Sequence, residues 1–248
     1  MLQNGSFLAF DTSTDLMSVA LTDGSRVWQH TGPGGAKAST TLIPAILALL
    51  ADAGMALGDL QAIVFGRGPG SFTGLRTACA VAQGLAFGAN AGAGVPVLPI
   101  DTLMAVAEEA RHQQQSAHIT ALLDARMDEM YVQRYSYLRG VLTSLGICQL
   151  IRPEHLEPDP ASLYAGNVFD VYAGRLPAGL NHLTCLPALP TATAMLRLAP
   201  TLASSGQCVP AALALPLYVR DKVAQTTTER EAAKAMKLLA ALPAADIQ

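Results

Sequence analysis

Two stretches of this chain, residues 8–17 and 121–130, repeat one pattern. In each, a short apolar run ends in an aspartate, a second aspartate follows four residues later, and another apolar run begins. Asp11 and Asp15 hold these places in the first stretch, and Asp124 and Asp128 in the second. Such an internal repeat is typical of a duplicated structural unit. It predicts two related lobes divided near residue 115, after a polar stretch at 111–116.

Hydrophobic periodicity predicts the elements of each half. The first half begins with three strands, Phe7–Phe10, Met17–Leu21 and Arg26–His30, and a helix from Ser39 that is capped by Thr40 or Thr41 and ended by Gly54. A strand at Ala62–Phe65, a helix at Leu75–Phe87, a strand at Val95–Ile100 and a helix at Thr102–His112 follow. The second half has further strand candidates at Tyr131–Tyr137, Ile147–Ile151 and Leu163–Gly166. This order is typical of an α/β fold of the ribonuclease-H-like or actin type, with mixed sheets flanked by helices.

The predicted division of the chain follows from these elements. We expect one lobe at residues 1–115, a second at 116–215, and a C-terminal segment, 216–248, that packs back on the first lobe. Thr228 and Glu231 form a capping-box pattern, which predicts that this segment contains a helix.

Composition restricts the function. Hydrophobic residues make up 51% of the 248 residues and charged residues only 14%, against about 25% in an average protein, so part of the surface is expected to contact another protein. The net charge is −3 and lysines and arginines are scattered, which argues against a protein that binds nucleic acid by itself. Four widely spaced cysteines without a CxxC pair indicate reduced thiols in a cytosol.

No membrane association is predicted. The uncharged stretches 77–100 and 176–196 are interrupted by glycine or proline, which would leave backbone groups unpaired in lipid. The N-terminal residues lack the basic and apolar regions of a signal peptide. We therefore expect a cytoplasmic protein.

The glycine-rich segment Gly66–Arg76, between a strand and a helix, is the most unusual in the sequence. Turns of this kind often bind phosphate through free backbone N–H groups. This one matches neither a Walker loop nor GxGxxG, and Ser71 does not stand in a nucleophile elbow.

The following helix has almost no polar face, so we predict that one side is covered by a partner; a helix buried within its own lobe explains the pattern equally well. The predicted partner interface comprises Gly68, Pro69, Gly70, Ser71, Phe72, Thr73, Gly74, Leu75, Arg76, Ala78, Cys79, Ala82, Gln83 and Gly84.

Asp11, with Thr12 and Ser13, follows the first strand, where actin-type folds hold a metal-bound nucleotide. These three residues are candidates for a vestigial nucleotide cleft, although an Asx turn that caps the hairpin is the favoured alternative. Asp124 has the same two interpretations. The five histidines form no HxxxH or HxxH pair, so we predict no metal site. Glu108 and Glu109 are expected on a solvated helix face.

Four blocks carry a resemblance to a known family: residues 9–14 (AFDTST), 66–76 (GRGPGSFTGLR), 123–131 (LDARMDEMY) and 216–223 (PLYVRDKV). In this order they resemble the TsaB (YeaZ) family of bacterial tRNA threonylcarbamoyladenosine synthesis. The resemblance implies two actin-like lobes of the ASKHA type. It also implies a non-catalytic scaffold or activator for the paralogue TsaD, which transfers the threonylcarbamoyl group, with the ATPase TsaE as a further partner.

The resemblance carries further expectations: a homodimer when the protein is alone, contact with tRNA only through the complex, and no cofactor except ATP or ADP at a subunit interface. The alternative function is an actin-type ATPase or a glycoprotease-like hydrolase that uses Asp11, Ser71 and the glycine loop. Two observations oppose it. Thr102 and Val106 stand where the metal-binding paralogue has HxxxH, and no Ser–His arrangement is visible.

Overall fold

The computed structural model describes residues 5–220 and contains two five-stranded mixed sheets. The strands of the first sheet are β1 (Phe7–Asp11), β2 (Leu16–Thr22), β3 (Val27–Pro33), β4 (Ala62–Gly68) and β5 (Val97–Asp101). Their order is β3-β2-β1-β4-β5. The first three are antiparallel neighbours, whereas β4 and β5 run parallel to β1.

The second sheet repeats this topology. Its strands are β6 (His118–Arg126), β7 (Glu129–Leu138), β8 (Val141–Ile151), β9 (Leu163–Gly166) and β10 (Cys185–Pro187), in the order β10-β9-β6-β7-β8. β6 therefore corresponds to β1, and Asp11 and Asp124 lie near the ends of these equivalent strands. The predicted fold class, two actin-like lobes with mixed sheets, is confirmed.

Four α-helices complete the described fold: α1 (Ala38–Ala53), α2 (Phe72–Gly88), α3 (Thr102–Gln114) and α4 (Ala192–Ser204). Short 3₁₀ turns lie at Gly35–Lys37, Leu57–Asp59, Asn90–Gly92, Pro153–His155, Ala178–His182 and Ala211–Leu213. α3 and α4 share one hydrophobic core with both sheets. α1 and α2 pack on the other face of the first sheet.

Two helix starts and one helix differ from the prediction. α1 begins at Ala38 without a side-chain cap, rather than at Thr40 or Thr41, although Gly54 ends it in the left-handed conformation as expected. α2 begins at Phe72, because the Ser71 hydroxyl caps it by accepting a bond from the Gly74 amide. α4 was not predicted. Its Pro200 argues locally against a helix, but burial of its apolar face outweighs that preference.

The chain returns to the first lobe after α4. Val209 pairs with Val97 beside β5, and the Leu217 amide donates to the Arg67 carbonyl at 2.7 Å. The lobe boundaries at 115 and 215 stay predictions, and the helix predicted from Thr228 lies outside the described residues.

One helical stretch in residues 5–220, Gly35–Ala53, is long and apolar enough to cross a membrane by length and composition alone. Such a match is weak evidence, because core helices of soluble proteins pass the same test. Here Leu42, Ile46 and Leu50 are buried in the first lobe. Only 33% of the apolar window is buried, however, so much of this helix is uncovered.

Candidate functional site: a helical docking face beside the interlobe cleft

The glycine loop packs backbone to backbone on the end of β1. The Ser71 amide donates to the Ser13 carbonyl at 2.7 Å, and the Thr12 hydroxyl donates to the Gly74 carbonyl at 2.7 Å. A Cβ atom on Gly70 would overlap Ser13, and one on Gly74 would overlap the Thr12 carbonyl. The glycines therefore allow close approach of two chain segments, and the Ser71 amide is already occupied by protein.

Glycine is required at two further places in this loop. A Cβ atom on Gly66 would overlap the Asp11 carboxylate. Gly68 has φ +120°, a conformation that side chains rarely adopt, and lies against the Leu217 carbonyl. The Gly68–Pro69 peptide is cis.

The Asp11 carboxylate is fully buried. Its Oδ1 accepts the Ser13 amide at 2.8 Å and the Ser13 hydroxyl at 2.6 Å, and its Oδ2 accepts the Thr102 hydroxyl at 3.4 Å. Burial raises the pKa of Asp11 to about 6, while these hydrogen bonds act in the opposite direction. Asp11 thus makes an Asx turn of the kind that was the favoured alternative.

A cleft of about 440 Å³ separates the two lobes. It is lined by the turn after β1, the first turn of α2, the end of β6 and side chains that include Tyr131, Asn167 and Arg220. Of the three predicted cleft residues only Ser13 lines it, because Asp11 and Thr12 are fully buried behind it. In residues 5–220 no group of three or more His, Cys, Asp or Glu side chains is arranged to hold a metal ion.

Two arginines at the cleft are engaged by protein groups. Arg126 reaches across the lobes to Asp15 at 3.1 Å. Arg220 donates to Glu129 at 2.8 Å and to the carbonyls of Ala125 and Arg126. These pairs occupy the guanidinium groups that a nucleotide phosphate would otherwise attract.

The predicted interface residues divide between the interior and the surface. Seven are buried: Gly68, Pro69, Gly74, Leu75, Ala78, Cys79 and Ala82. Five are exposed, namely Ser71, Phe72, Thr73, Arg76 and Gly84, and Gly70 and Gln83 are intermediate. The side chains of Ala78, Cys79 and Ala82 belong to the core of the first lobe, as in the alternative of a helix buried within its own lobe, and not to a surface that a partner could contact.

The exposed side of α2 is a stripe at helical spacing. Thr73, Arg76, Ala80, Gly84 and Phe87 lie along it, and Phe87 is 57% exposed. A Cβ atom on Gly84 would meet nothing within 4 Å. One side of α2 is therefore packed in its lobe and the other is uncovered, and that a partner covers the second side stays a prediction.

α1 extends this surface, which the sequence analysis missed. Its Ile43 and Leu47 are 43% and 53% exposed, and α1 lies beside α2 on the same outer face of the sheet. Within their bounds the two helices contain only Asp52 and Arg76 as charged residues. We call the exposed stripes of α1 and α2, represented by Ile43, Leu47, Thr73, Ala80, Gly84 and Phe87, the docking face. The sequence signal for this surface was that the apolar residues of α1 extend beyond the side of the helix that the lobe can bury.

Comparisons with known proteins agree with this architecture. A family model described as "TsaD: tRNA N6-adenosine threonylcarbamoyltransferase" matches residues 34–237. The tRNA threonylcarbamoyladenosine biosynthesis protein TsaB of Escherichia coli is 32% identical over 225 residues, which cover 88% of this chain and 95% of that protein. The chain belongs to the TsaB (YeaZ) family.

Two further TsaB-family proteins support this assignment. TsaB of Haemophilus influenzae is 42% identical over 130 residues, which span 52% of this chain and about half, 53%, of that protein. The structure of YeaZ from Pseudomonas aeruginosa superposes with a TM-score of 0.77 at 37% identity, covering 87% of this chain and all of that one. The family predicted from the four sequence blocks is confirmed.

In this TsaB-family chain, the two glutamates expected on a solvated face instead join helices. Glu108 is only 3% exposed and pairs with Arg111 at 2.6 Å and Arg197 at 2.9 Å. Glu109 pairs with Arg197 at 2.8 Å and accepts the Thr191 hydroxyl. This network connects α3 with α4 between the two sheets, so its role is structural.

Proposed function

We propose that this chain acts in the biosynthesis of tRNA threonylcarbamoyladenosine as a non-catalytic scaffold whose docking face binds a TsaD-family protein. The observation that carries the proposal is the docking face itself, an apolar surface of two adjacent helices with almost no charge. Monomeric proteins rarely leave such a surface exposed to solvent. The names of the relatives are the basis for proposing tRNA threonylcarbamoyladenosine biosynthesis as the pathway.

The rest of the assembly follows from the same proposal. Without the partner, two copies of the chain associate through the docking face, so homodimer and heterodimer exclude each other. A TsaE-like ATPase joins the complex, ATP or ADP binds only at a subunit interface, and tRNA is contacted only through the complex. The chain works in the cytoplasm and not at a membrane.

Several contacts support a non-catalytic role. The Asp11 carboxylate is buried away from the cleft, and the Ser71 amide is bonded to Ser13. Thr102 and Val106, which replace the paralogue's histidines, are both fully buried. ATP turnover and peptide hydrolysis by the purified chain alone would contradict this part of the proposal.

Gly84→Arg tests the docking face. Its Cβ position is open, so the variant is expected to fold, and a large charged side chain at the centre of the face would block close helix contact. Gly174→Arg is the matched control, because Gly174 is also exposed with open space at its Cβ position but lies in the second lobe.

The readouts are size-exclusion chromatography with and without the TsaD-family protein, and calorimetric affinity. We expect Gly84→Arg to lose about 30-fold or more in affinity, the effect of an interface hot spot, and Gly174→Arg to bind like the parent. Equal binding by both variants would show that the interface lies elsewhere.

A further inference from the structure

The buried turn Asp11–Ser13 connects the first strand with the first turn of α2. We infer that Asp11 is a positioning residue for the docking face, which it orients through Ser13 and Ser71. The inference rests on the proposed function, because it assigns a role in partner binding to a residue that no partner touches.

The first link is between Asp11 and Ser13. One carboxylate oxygen accepts both the amide and the hydroxyl of Ser13, at 2.8 and 2.6 Å. Gly66 leaves room for the other oxygen, which accepts from Thr102 at the start of α3. These contacts fix the Thr12–Ser13 peptide and the side chain of Ser13, the residue whose carbonyl faces the start of α2.

The second link is between Ser13 and α2. The Ser13 carbonyl accepts the amide of Ser71, the residue that caps α2, at 2.7 Å. Thr12 supports the same turn, because its hydroxyl donates to the Gly74 carbonyl. The turn therefore holds α2 at its N-terminal end, where Thr73 belongs to the docking face.

Within residues 5–220, no cationic side chain is hydrogen-bonded to the Asp11 carboxylate. Its polar contacts are with the hydroxyls of Ser13 and Thr102 and the Ser13 amide, and β4 faces it with Gly66. The ion pair of Arg67 with Asp101, at the ends of β4 and β5, is partly exposed, and its two side chains hydrogen-bond to each other. A buried carboxylate without a cation reduces stability when ionised, yet a charged acceptor makes stronger bonds to Ser13 than a neutral one.

These two effects give opposite pH trends. Between pH 7.5 and 5, protonation of Asp11, whose pKa is about 6, removes the buried charge, so Asp11 contributes a rise in stability. The same protonation weakens the acceptor for Ser13, so affinity for the partner decreases. A residue that served only the stability of the fold would change the melting temperature with pH and leave the affinity of the folded chain unchanged.

Asp11→Asn and Asp11→Ala test the inference on the full chain with the TsaD-family protein. Asn keeps an acceptor oxygen without the charge, so we expect a higher melting temperature at pH 7.5, about 5-fold weaker binding, and loss of the Asp11-dependent change with pH. Ala removes the acceptor, and we expect binding about 10-fold or more weaker than the parent. Thr12→Val, which removes the bond to Gly74, should weaken binding and keep the parent's pH profile.

The outcomes separate the two proposals. If Gly84→Arg abolishes binding but folded Asp11→Asn and Asp11→Ala bind like the parent at both pH values, Asp11 has no positioning role and the docking face stands. If Gly84→Arg binds normally, the proposed function fails whatever the Asp11 variants do. If Asp11→Ala does not fold, the Asn variant and its pH profile decide.

Discussion

The two lobes have the same sheet topology and different outer layers. In the first lobe the connections β3–β4 and β4–β5 contain α1 and α2. In the second lobe the corresponding connections, 152–162 and 167–184, contain only short 3₁₀ turns and irregular chain. Their residues Leu156, Val168 and Leu180 cover the sheet directly. Both sheets thus have their outer face covered, the first by two helices and the second by irregular chain.

The equivalent aspartates differ in the same way. Asp11 is buried among hydroxyl donors, whereas Asp124 lies 3.5 Å from Arg126 and accepts the Tyr172 hydroxyl at 2.7 Å. Burial and Asp124 raise the pKa of that tyrosine. The two lobes thus keep the position of the carboxylate and differ in its partners.

The largest expected effect on stability comes from a charge placed on the buried side of α2, compared with the same charge on its exposed side. Ala82→Glu places a charge in the core of the first lobe, where Ala82 is fully buried, and should destabilise the protein by about 3–5 kcal/mol. Ala80→Glu, on the exposed side of the same helix, should leave the melting temperature nearly unchanged and reduce partner binding. Thermal unfolding and calorimetry measure both, and similar melting temperatures would contradict the division of α2.

The second largest effect on stability is expected at the Glu108 ion pairs, which connect α3 with α4 between the two sheets. Glu108→Ala leaves Arg111 and Arg197 without their common carboxylate between α3 and α4, and we expect a loss of about 2–3 kcal/mol in denaturant unfolding. Glu154→Ala is the control, because its pair with Arg175 is exposed and should contribute little to stability. Equal losses would mean that the interlobe network contributes no more than a surface pair.

Sequence reasoning predicted most strands and the repeated lobe better than it predicted burial, and the partner-binding role of α2 stays a prediction. Period-two and helical patterns, with Gly54 as a stop, are local signals and identified β1, β2 and α1. The burial of Asp11 and Glu108 depends on residues distant in sequence, such as Thr102 and Arg197, which no local pattern reveals. α4 was not predicted; it is stabilised by burial of its apolar face against α3 and the first sheet, which are contacts between residues distant in sequence.

The buried carboxylate of Asp11 gives a pH-dependent prediction for stability. Asp11 has a folded pKa of about 6, above its ordinary value of 3.8, so its ionisation lowers stability as pH rises through this range. Asp11→Asn should therefore raise stability at pH 7.5, by an amount on the order of 2 kcal/mol, with the gain disappearing below about pH 4. Asp124→Asn removes the partner of Arg126 and should not stabilise. Urea unfolding at both pH values tests this, and a gain for both variants would contradict the contrast.

The smallest effect concerns the turns between the paired strands. Arg126, Met127 and Asp128 all have positive φ in the β6–β7 turn, at +61°, +56° and +61°, whereas no non-glycine residue of the β1–β2 turn does. A left-handed conformation is unfavourable for a side-chain-bearing residue and neutral for glycine. Met127 is 52% exposed, so Met127→Gly removes little packing while relieving the backbone. We expect a gain of up to about 1 kcal/mol, or about 2–4 °C in melting temperature.

Thr14→Gly, in the β1–β2 turn, should destabilise instead, because glycine adds unfolded-state entropy there without relieving a left-handed residue. A loss of stability in both variants would mean that the contact of Met127 with Arg220, at 3.2 Å, outweighs the conformational preference.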